Sequence, residues 1–295
     1  MTTSRITTTD GITLHVQTWG DATRPPMILV HGYPDSHSVW TPIAEQLAHD
    51  FYVIAYDVRG AGLSDAPSAI RAYRLEQLAQ DLASVSRALL GQRAFHLVAH
   101  DWGSIQSWES VATPRLQGQI LSFTTLSGPS LDHAAIWLRD RAKDNKQTFL
   151  GQLAKSWYIA FFHLPWAAPL LWKTVWGRHW HWVVERMEGA SGLPQNPSQT
   201  QDGMQGVNLY RANFMDRLWH PNVRIAHCPV QAIVLERDVF VGKALMDDLA
   251  RWVPQLTVNR LNTGHWGILS QPKAVADLVR QFAQQHEATQ RTAVA

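Results

Sequence analysis

Short strand-like apolar runs alternate with helix-like segments along most of this chain. Runs typical of strands in the interior of a sheet occur at residues 27–30, 51–56, 95–98, 120–126, 230–235 and 256–261. Between them, apolar side chains recur at helical spacing, as they do at Leu75, Leu78 and Leu82. This alternation predicts an α/β fold with a mostly parallel central sheet flanked by helices. Residues 12–19 alternate apolar and polar side chains, as one strand of a hairpin would.

The pattern changes at about residue 131 and returns at about residue 220. The intervening segment is helix-like, poor in strands and crowded with tryptophan, namely Trp157, Trp166, Trp172, Trp176, Trp180 and Trp182. We therefore predict a core domain made of residues 1–130 and 220–295, interrupted by a helical cap domain at 131–219. The cap is expected over the carboxyl edge of the sheet, where open α/β sheets carry their active sites.

Composition narrows the class of partner and the cell compartment. The chain has 295 residues, of which 45% are hydrophobic, and a net charge of +2 without long blocks of one sign, which argues against nucleic acid as a partner. The single cysteine, Cys228, excludes an internal disulfide and favours a reducing, cytoplasmic location. The longest apolar run, 159–172, is shorter than the roughly 20 residues of a membrane span and contains two prolines. The N-terminus carries no signal-peptide pattern.

A sharp turn is predicted where the run 95–98 meets the next helix. Asp101 lies at the centre of this turn, and its neighbours Ala99 and Gly103 are small, as a strained strand-to-helix turn requires. Such a turn exposes its central side chain and directs helix N–H groups towards a bound anion. The alternative is that Asp101 only caps the helix that follows.

Other polar residues follow neighbouring predicted strands. His31-Gly32-Tyr33 comes after the first buried strand, Asp238 follows the run 230–235, and His265 follows the last strand. These positions meet at one edge of a parallel sheet. The chain order of Asp101, Asp238 and His265 is the nucleophile, acid and histidine order of an α/β-hydrolase triad.

On these residues, the sequence resembles the epoxide hydrolase group of the α/β-hydrolase fold family, and the resemblance covers nearly the whole chain. The likeness is carried by His31-Gly32-Tyr33-Pro34, the run from Asp57 to Asp65, His100-Asp101-Trp102-Gly103 and Gly264-His265-Trp266. One departure is Ala99, where the family usually has glycine. Alanine is small enough that we expect the turn to keep its role.

The resemblance implies a role for each motif residue. Asp101 is the expected nucleophile, His265 the base and Asp238 the acid that orients it, with Glu236 as the competing acid. The backbone N–H groups of Tyr33 and Trp102 are expected to form the oxyanion hole, in which each donor typically contributes about 3–4 kcal/mol. An aspartate nucleophile attacks an sp³ carbon and forms an ester, which activated water then hydrolyses.

Two enzyme classes share this aspartate, and their leaving groups differ. An opened epoxide leaves as a basic alkoxide that needs a proton, which a tyrosine can supply. Tyr158 and Tyr210 lie in contexts that resemble the two cap-domain tyrosine motifs of epoxide hydrolases. Haloalkane dehalogenases usually place asparagine where this chain has Tyr33, and fluoroacetate-type enzymes place arginine where it has Trp102. We therefore expect epoxide hydrolysis.

The remaining expectations concern ligands and assembly. The candidate pocket residues are His31, Trp102, Trp157 and Trp266. We expect a small apolar epoxide and water as reactants, with no cofactor, metal or membrane span. The chain is expected to be a monomer or homodimer, and it also resembles the hydrolase part of fused proteins that carry a reductase domain. A haloalkane dehalogenase and a non-catalytic ligand-binding member of the fold remain the alternatives.

Overall fold

The computed structural model describes the backbone of residues 1–294 and the side chains of residues 1–287. Ala295, the last residue of the predicted core domain, lies outside the described residues. The strands are β1 Thr2–Thr7, β2 Thr13–Trp19, β3 Pro26–Val30, β4 Tyr52–Tyr56, β5 Phe95–His100, β6 Ile120–Leu126, β7 Val230–Leu235 and β8 Leu256–Leu261.

In the described part of the chain these strands form one eight-stranded sheet in the order β1-β2-β4-β3-β5-β6-β7-β8. The β1–β2 and β2–β4 pairs are antiparallel, and every other neighbouring pair is parallel. The prediction of a mostly parallel sheet is therefore confirmed. The hairpin expected at residues 12–19 is β1–β2, in which Thr2 faces Thr18 and Thr7 faces Thr13.

Helices cover the sheet and fill the segment between β6 and β7. The α-helices are α1 Thr41–Leu47, α2 Leu75–Leu90, α3 Trp102–Val111, α4 Leu131–Asp144, α5 Lys146–Lys155, α6 Trp157–Phe162, α7 Ala167–Leu171, α8 Gly177–Glu188, α9 Gln199–Trp219, α10 Lys243–Asp247, α11 Gly267–Ser270 and α12 Pro272–Val294. A π-helical turn, Trp172–Trp176, joins α7 to α8. We call residues 131–219 the cap; its status as a separate domain stays a prediction.

Two apolar layers lie on the two faces of the sheet. Side chains of one strand alternate between faces, so Ile28 and Val30 of β3 pack with α2 and α3, whereas Met27 and Leu29 pack with α1 and α12. All five residues of β3 are buried. Because β3, β5, β6, β7 and β8 are parallel, their carboxyl ends meet at one edge of the sheet, and the loops after them lie together.

Within the described residues, no helix combines the length and apolar character needed to cross a membrane.

Candidate active site

Asp101 lies in the turn between β5 and α3 in a strained backbone conformation. Its φ is 51° and its ψ is −125°, and its side chain makes no capping hydrogen bond to α3. The turn passes close to other backbone. A Cβ atom at Gly103 would lie 2.2 Å from the carbonyl oxygen of Val30, and one at Gly128 would lie 2.2 Å from that of Asp101. The carboxylate of Asp101 is therefore not used as a helix cap, and it faces the sheet edge.

The structure brings Asp238 and His265 to this carboxylate. His265 Nδ1 lies 2.9 Å from Asp238 Oδ2, and its Nε2 lies 3.6 Å from Asp101 Oδ2. The loop after β7 holds the other oxygen, Asp238 Oδ1, which accepts the backbone N–H groups of Phe240 and Val241 over 2.7 and 3.0 Å. Of the two candidate acids, Asp238 rather than Glu236 is the one that contacts His265.

The charges in this group act strongly on one another. Burial lowers the pKa of His265, but the Asp238 and Asp101 carboxylates outweigh it and raise that pKa to about 10. Burial raises the pKa of Asp238, but His265 and the backbone N–H groups outweigh it and lower that pKa to about 2. His265 is thus an imidazolium held between two carboxylates.

Tyr33 contacts Asp101 through its backbone and the cap through its side chain. Its N–H donates to Asp101 Oδ1 over 2.7 Å. Its hydroxyl donates to the Gly203 carbonyl over 2.9 Å and accepts the Trp172 indole N–H over 2.6 Å. Trp102 is the first residue of α3, where backbone N–H groups have no partner within the helix. Both predicted oxyanion donors therefore belong to segments that adjoin Asp101.

Two cavities meet above Asp101. One, of about 570 Å³, extends between α5, α6 and α8 and is lined by Trp157, Trp180 and Trp266 among others. The second, of about 580 Å³, extends between α4, α5 and α9. The residues that line both cavities are Asp101, Tyr158, Tyr210 and Phe240. The Asp101 carboxylate thus lies at the junction of two largely apolar compartments.

The two cap tyrosines lie side by side at this junction. The ring centroids of Tyr158 and Tyr210 are 6.0 Å apart, and Tyr210 packs against Trp102 with centroids 4.8 Å apart. Burial, together with the negative charge of Asp101, raises the pKa of both phenols. Both tyrosines are therefore protonated hydrogen-bond donors at neutral pH.

Three of the four predicted pocket residues line these cavities, and His31 does not. Trp157 and Trp266 line the first cavity, and Trp102 lines the second. His31 is buried beneath them, where its Nε2 accepts the Val58 N–H over 2.9 Å and its Nδ1 lies 2.8 Å from the Gly32 carbonyl oxygen. Burial lowers its pKa, so it is neutral. The expectation that His31 lines the pocket is corrected, because both ring nitrogens bind backbone.

Sequence reasoning missed several side chains that contact the site. Phe240 packs on the His265 ring with centroids 4.9 Å apart. Asp35 accepts the Trp266 indole N–H over 3.1 Å, and Glu188 accepts the Trp266 backbone N–H over 2.8 Å. Asp35 belongs to the motif run after His31, which was a usable signal. No such signal marked Glu188, because one glutamate at the end of an amphipathic helix is ordinarily a surface residue.

A second group of titratable side chains lies outside both cavities. His15 Nδ1 and His37 Nδ1 lie 3.1 and 2.8 Å from different oxygens of the buried Asp57 carboxylate. Each oxygen also accepts one backbone N–H, from His37 or Leu63. The Asp57 carboxylate holds this cluster together through its contacts with both imidazoles and with two backbone N–H groups, and spacing along the chain did not reveal it.

Comparison with known proteins identifies the family of this chain. A family model described as the alpha/beta hydrolase fold matches residues 25–272. The chain belongs to the α/β-hydrolase fold family. It is 34% identical over 286 residues to a probable oxidoreductase, EphD, of Mycobacterium tuberculosis, and the match covers 93% of this chain and 48% of the relative. It is 27% identical over 290 residues to epoxide hydrolase 3 of Xenopus tropicalis, covering 92% of this chain and 75% of the relative.

The chain spans about half the length of the mycobacterial relatives. Among solved structures, a mutant epoxide hydrolase from Bacillus megaterium bound to its diol product has a TM-score of 0.79 at 21% identity, covering 95% of this chain and 100% of that one. An epoxide hydrolase from Vigna radiata has a TM-score of 0.75 at 20% identity, covering 96% and 98%. At these identities the structures show a shared fold. Epoxide hydrolases are therefore among the proteins to which this chain is similar.

Proposed function

We propose that this hydrolase opens an epoxide to a vicinal diol through an ester formed on Asp101. One observation carries the proposal: the Asp101 carboxylate and the phenols of Tyr158 and Tyr210 line the same cavity junction. An epoxide there has a nucleophile on one side and proton donors on the other. Those are the two groups that ring opening needs.

In the first half-reaction, Asp101 Oδ2 attacks one epoxide carbon and the carbon–oxygen bond of the ring breaks. The electron pair moves to the epoxide oxygen, which takes a proton from Tyr158 or Tyr210. Asp101 Oδ1 stays against the Tyr33 N–H, 2.7 Å away, and becomes the ester carbonyl oxygen. The oxygen that must later carry negative charge is therefore already hydrogen-bonded before the ester forms.

In the second half-reaction, His265 removes a proton from water, and the hydroxide attacks the ester carbonyl carbon. The resting imidazolium first becomes neutral by passing its proton, through water, to the phenolate that ring opening leaves. Alkylation of Asp101 removes one of the two negative charges that raise the His265 pKa, so the histidine loses its proton more readily once the ester has formed. The tetrahedral intermediate then collapses, and the bond from the Asp101 carbonyl carbon to the diol oxygen breaks. That oxygen takes the proton held by His265, and the diol leaves. Asp101, which now contains one water oxygen, gives its remaining proton to His265 and returns to a carboxylate.

The shape of the site favours apolar substrates with a substituent on each epoxide carbon. Aromatic side chains dominate the first cavity, and aliphatic and aromatic side chains dominate the second. With the epoxide at Asp101, one substituent fits each compartment. Water is the other reactant. A cytoplasmic location and the choice between monomer and homodimer stay predictions.

A haloalkane dehalogenase is the alternative that shares the Asp101 ester. It needs hydrogen-bond donors around a halide. The Tyr33 side chain has no N–H group, and its hydroxyl donates to the Gly203 carbonyl instead of to a ligand. A non-catalytic ligand-binding protein of this fold is a further alternative, but the contacts between Asp101, Asp238 and His265 give it no support.

A single-turnover experiment in water labelled with oxygen-18 tests the proposal. With enzyme in excess over an epoxide, we expect an unlabelled diol and one labelled oxygen in the peptide that contains Asp101. Direct attack of water would instead label the diol. Halide release from a haloalkane without diol formation from epoxides would favour the dehalogenase.

Substitution of both cap tyrosines tests the proton donors separately. We expect Tyr158→Phe with Tyr210→Phe to reduce ring opening at least about 100-fold. Tyr73→Phe is the control, because Tyr73 is buried in the core and lines neither cavity. Full activity in the double variant would contradict the assignment of the donors.

A further inference from the structure

The outer surface of the cap exposes an unusual number of large apolar side chains. Trp157, Trp166 and Trp182 are 64%, 72% and 61% exposed. Leu164, Leu170 and Val175 lie in the same segment and are also exposed. We call these six residues the cap outer face. Their exposure is costly in water unless another apolar phase covers them.

Helix geometry keeps this face turned outward. The backbone stays helical from α7 through the π-turn into α8. Within this helical segment, Ala168, Trp172 and Val184 are buried. They are 4 and 12 positions apart, so they lie along one face of the helix, which packs on the core. Trp166, Leu170 and Trp182 lie outside that buried face, so they cannot enter the core while it stays buried.

The charged residues between positions 145 and 184 are all basic. No aspartate or glutamate occurs between residues 145 and 184, whereas Lys146, Lys155, Lys173 and Arg178 do. Lys173 and Arg178 are exposed on the π-turn and α8, between Leu170 and Trp182. The surface is thus apolar and cationic together, although the whole chain carries a charge of only +2.

The cap outer face adjoins the mouth of the first cavity. Trp157 lines that cavity and is also 64% exposed, and Val239 lines it at 49% exposure. Lys155 lies at the same mouth. α8 presents Val183 to this cavity next to the exposed Trp182. An apolar phase in contact with the face would therefore also contact the cavity opening.

We propose that the cap outer face docks on an anionic lipid surface. Tryptophan prefers the headgroup level of a bilayer, and lysine and arginine extend their charges to lipid phosphates. A protein partner fits less well, because lysine is depleted in protein interfaces and no aspartate or glutamate lies between residues 145 and 184 to form pairs. Delivery of an apolar epoxide from the bilayer to Asp101 follows if the proposed function holds; docking itself does not depend on it.

Vesicle flotation of the whole protein tests the docking. We expect the protein to float with phosphatidylcholine vesicles that contain about 30% phosphatidylglycerol, an anionic lipid that attracts lysine and arginine side chains. Binding should fall at least about fivefold with phosphatidylcholine alone or in 0.5 M salt, about the concentration that screens surface charge. Flotation requires no turnover, so its result is independent of the epoxide assay.

Two pairs of variants separate the apolar and cationic parts. Trp166→Ser with Trp182→Ser, and separately Lys173→Glu with Arg178→Glu, should each reduce flotation at least about fivefold. The matched controls are Trp219→Ser, whose tryptophan is 67% exposed elsewhere in the cap, and Arg71→Glu with Arg87→Glu on the core.

Circular dichroism of each variant checks folding, and sedimentation tests association. Absence of wild-type flotation, or equal loss in the Trp219→Ser control, would overturn the proposal. A dimer that dissociates in Trp166→Ser with Trp182→Ser, without vesicle binding, would assign the face to a second copy of the chain and would also overturn it.

Discussion

Glu188 of the cap accepts the backbone N–H of Trp266, 2.8 Å away, in the loop that carries His265. The same carboxylate accepts the hydroxyls of Thr263 and Ser270 over 3.0 and 2.7 Å. Glu188 is buried, and a Cβ atom at Gly264 would lie 2.3 Å from it. The end of α8 therefore fixes the histidine loop through three hydrogen bonds.

Glu188→Gln should slow hydrolysis of the ester more than its formation. The amide offers one acceptor oxygen where three donors need partners, so the loop and the His265 ring shift relative to Asp101. We expect kcat to fall roughly tenfold to 100-fold, with the Asp101 ester accumulating. Rapid-quench mass spectrometry of the intact protein measures that ester.

The control is Glu185→Gln. Glu185 lies on the same helix but binds the backbone N–H groups of Gly192 and Leu193 instead of the histidine loop. The Glu185→Gln substitution should leave the rates of ester formation and ester hydrolysis unchanged. His265→Gln should accumulate the ester as well; if it does not, the proposed mechanism fails independently of Glu188.

Asp101→Asn should lower the pKa of His265. The Asp101 carboxylate oxygen is 3.6 Å from Nε2 and helps to raise that pKa to about 10. Without this charge the imidazolium loses stabilisation, and we expect a decrease of at least about one unit. Histidine-selective NMR titration measures it. The control is Asp277→Asn, which removes an exposed carboxylate and should leave the pKa of His265 unchanged. If Asp101→Asn also leaves that pKa unchanged, the charge coupling between Asp101 and His265 is refuted.

Asp35→Asn should change the pH dependence of stability. Burial raises the pKa of Asp35 from 3.8 to about 7, although the Trp266 indole N–H opposes that shift. Between pH 4 and 7 the folded protein keeps a proton that the unfolded chain releases, so the free energy of unfolding falls as pH rises.

The amide cannot ionise, so we expect the variant to lack this decrease and to be more stable at pH 8 by about 1 kcal/mol or more. Urea unfolding at pH 5 and pH 8 measures the difference. Equal pH dependence in the two proteins would show that Asp35 does not titrate in this range.

Tyr33→Phe should reduce stability more than activity. The change leaves the buried Trp172 indole N–H without its partner, and an unpaired buried donor costs about 1–3 kcal/mol. The backbone N–H of residue 33 still faces Asp101 Oδ1. We expect the urea midpoint to fall and kcat/KM to change less than about threefold. A loss of activity above about 100-fold at unchanged stability would mean that the hydroxyl acts on the substrate.

Local pattern was sufficient to predict the sheet and the turn at Asp101. Buried strands read as continuous apolar runs, and the small residues beside Asp101 reflect close contact with neighbouring backbone. Because parallel strands end at one edge, Asp238 and His265 could be assigned to the same site as Asp101. These inferences need only the spacing of side chains along single elements and the direction of the strands.

Tertiary structure alone decided the contacts between the cap and the core. Periodicity does not record which distant groups meet, so the hydrogen bonds of Glu188 to the histidine loop and the backbone contacts of His31 were invisible in the sequence. The tryptophans of the cap illustrate the same limit. Trp172 is buried and Trp166 is exposed, although they are six positions apart in one apolar run. Helix geometry around a specific packed neighbour, rather than hydrophobicity, sets that difference.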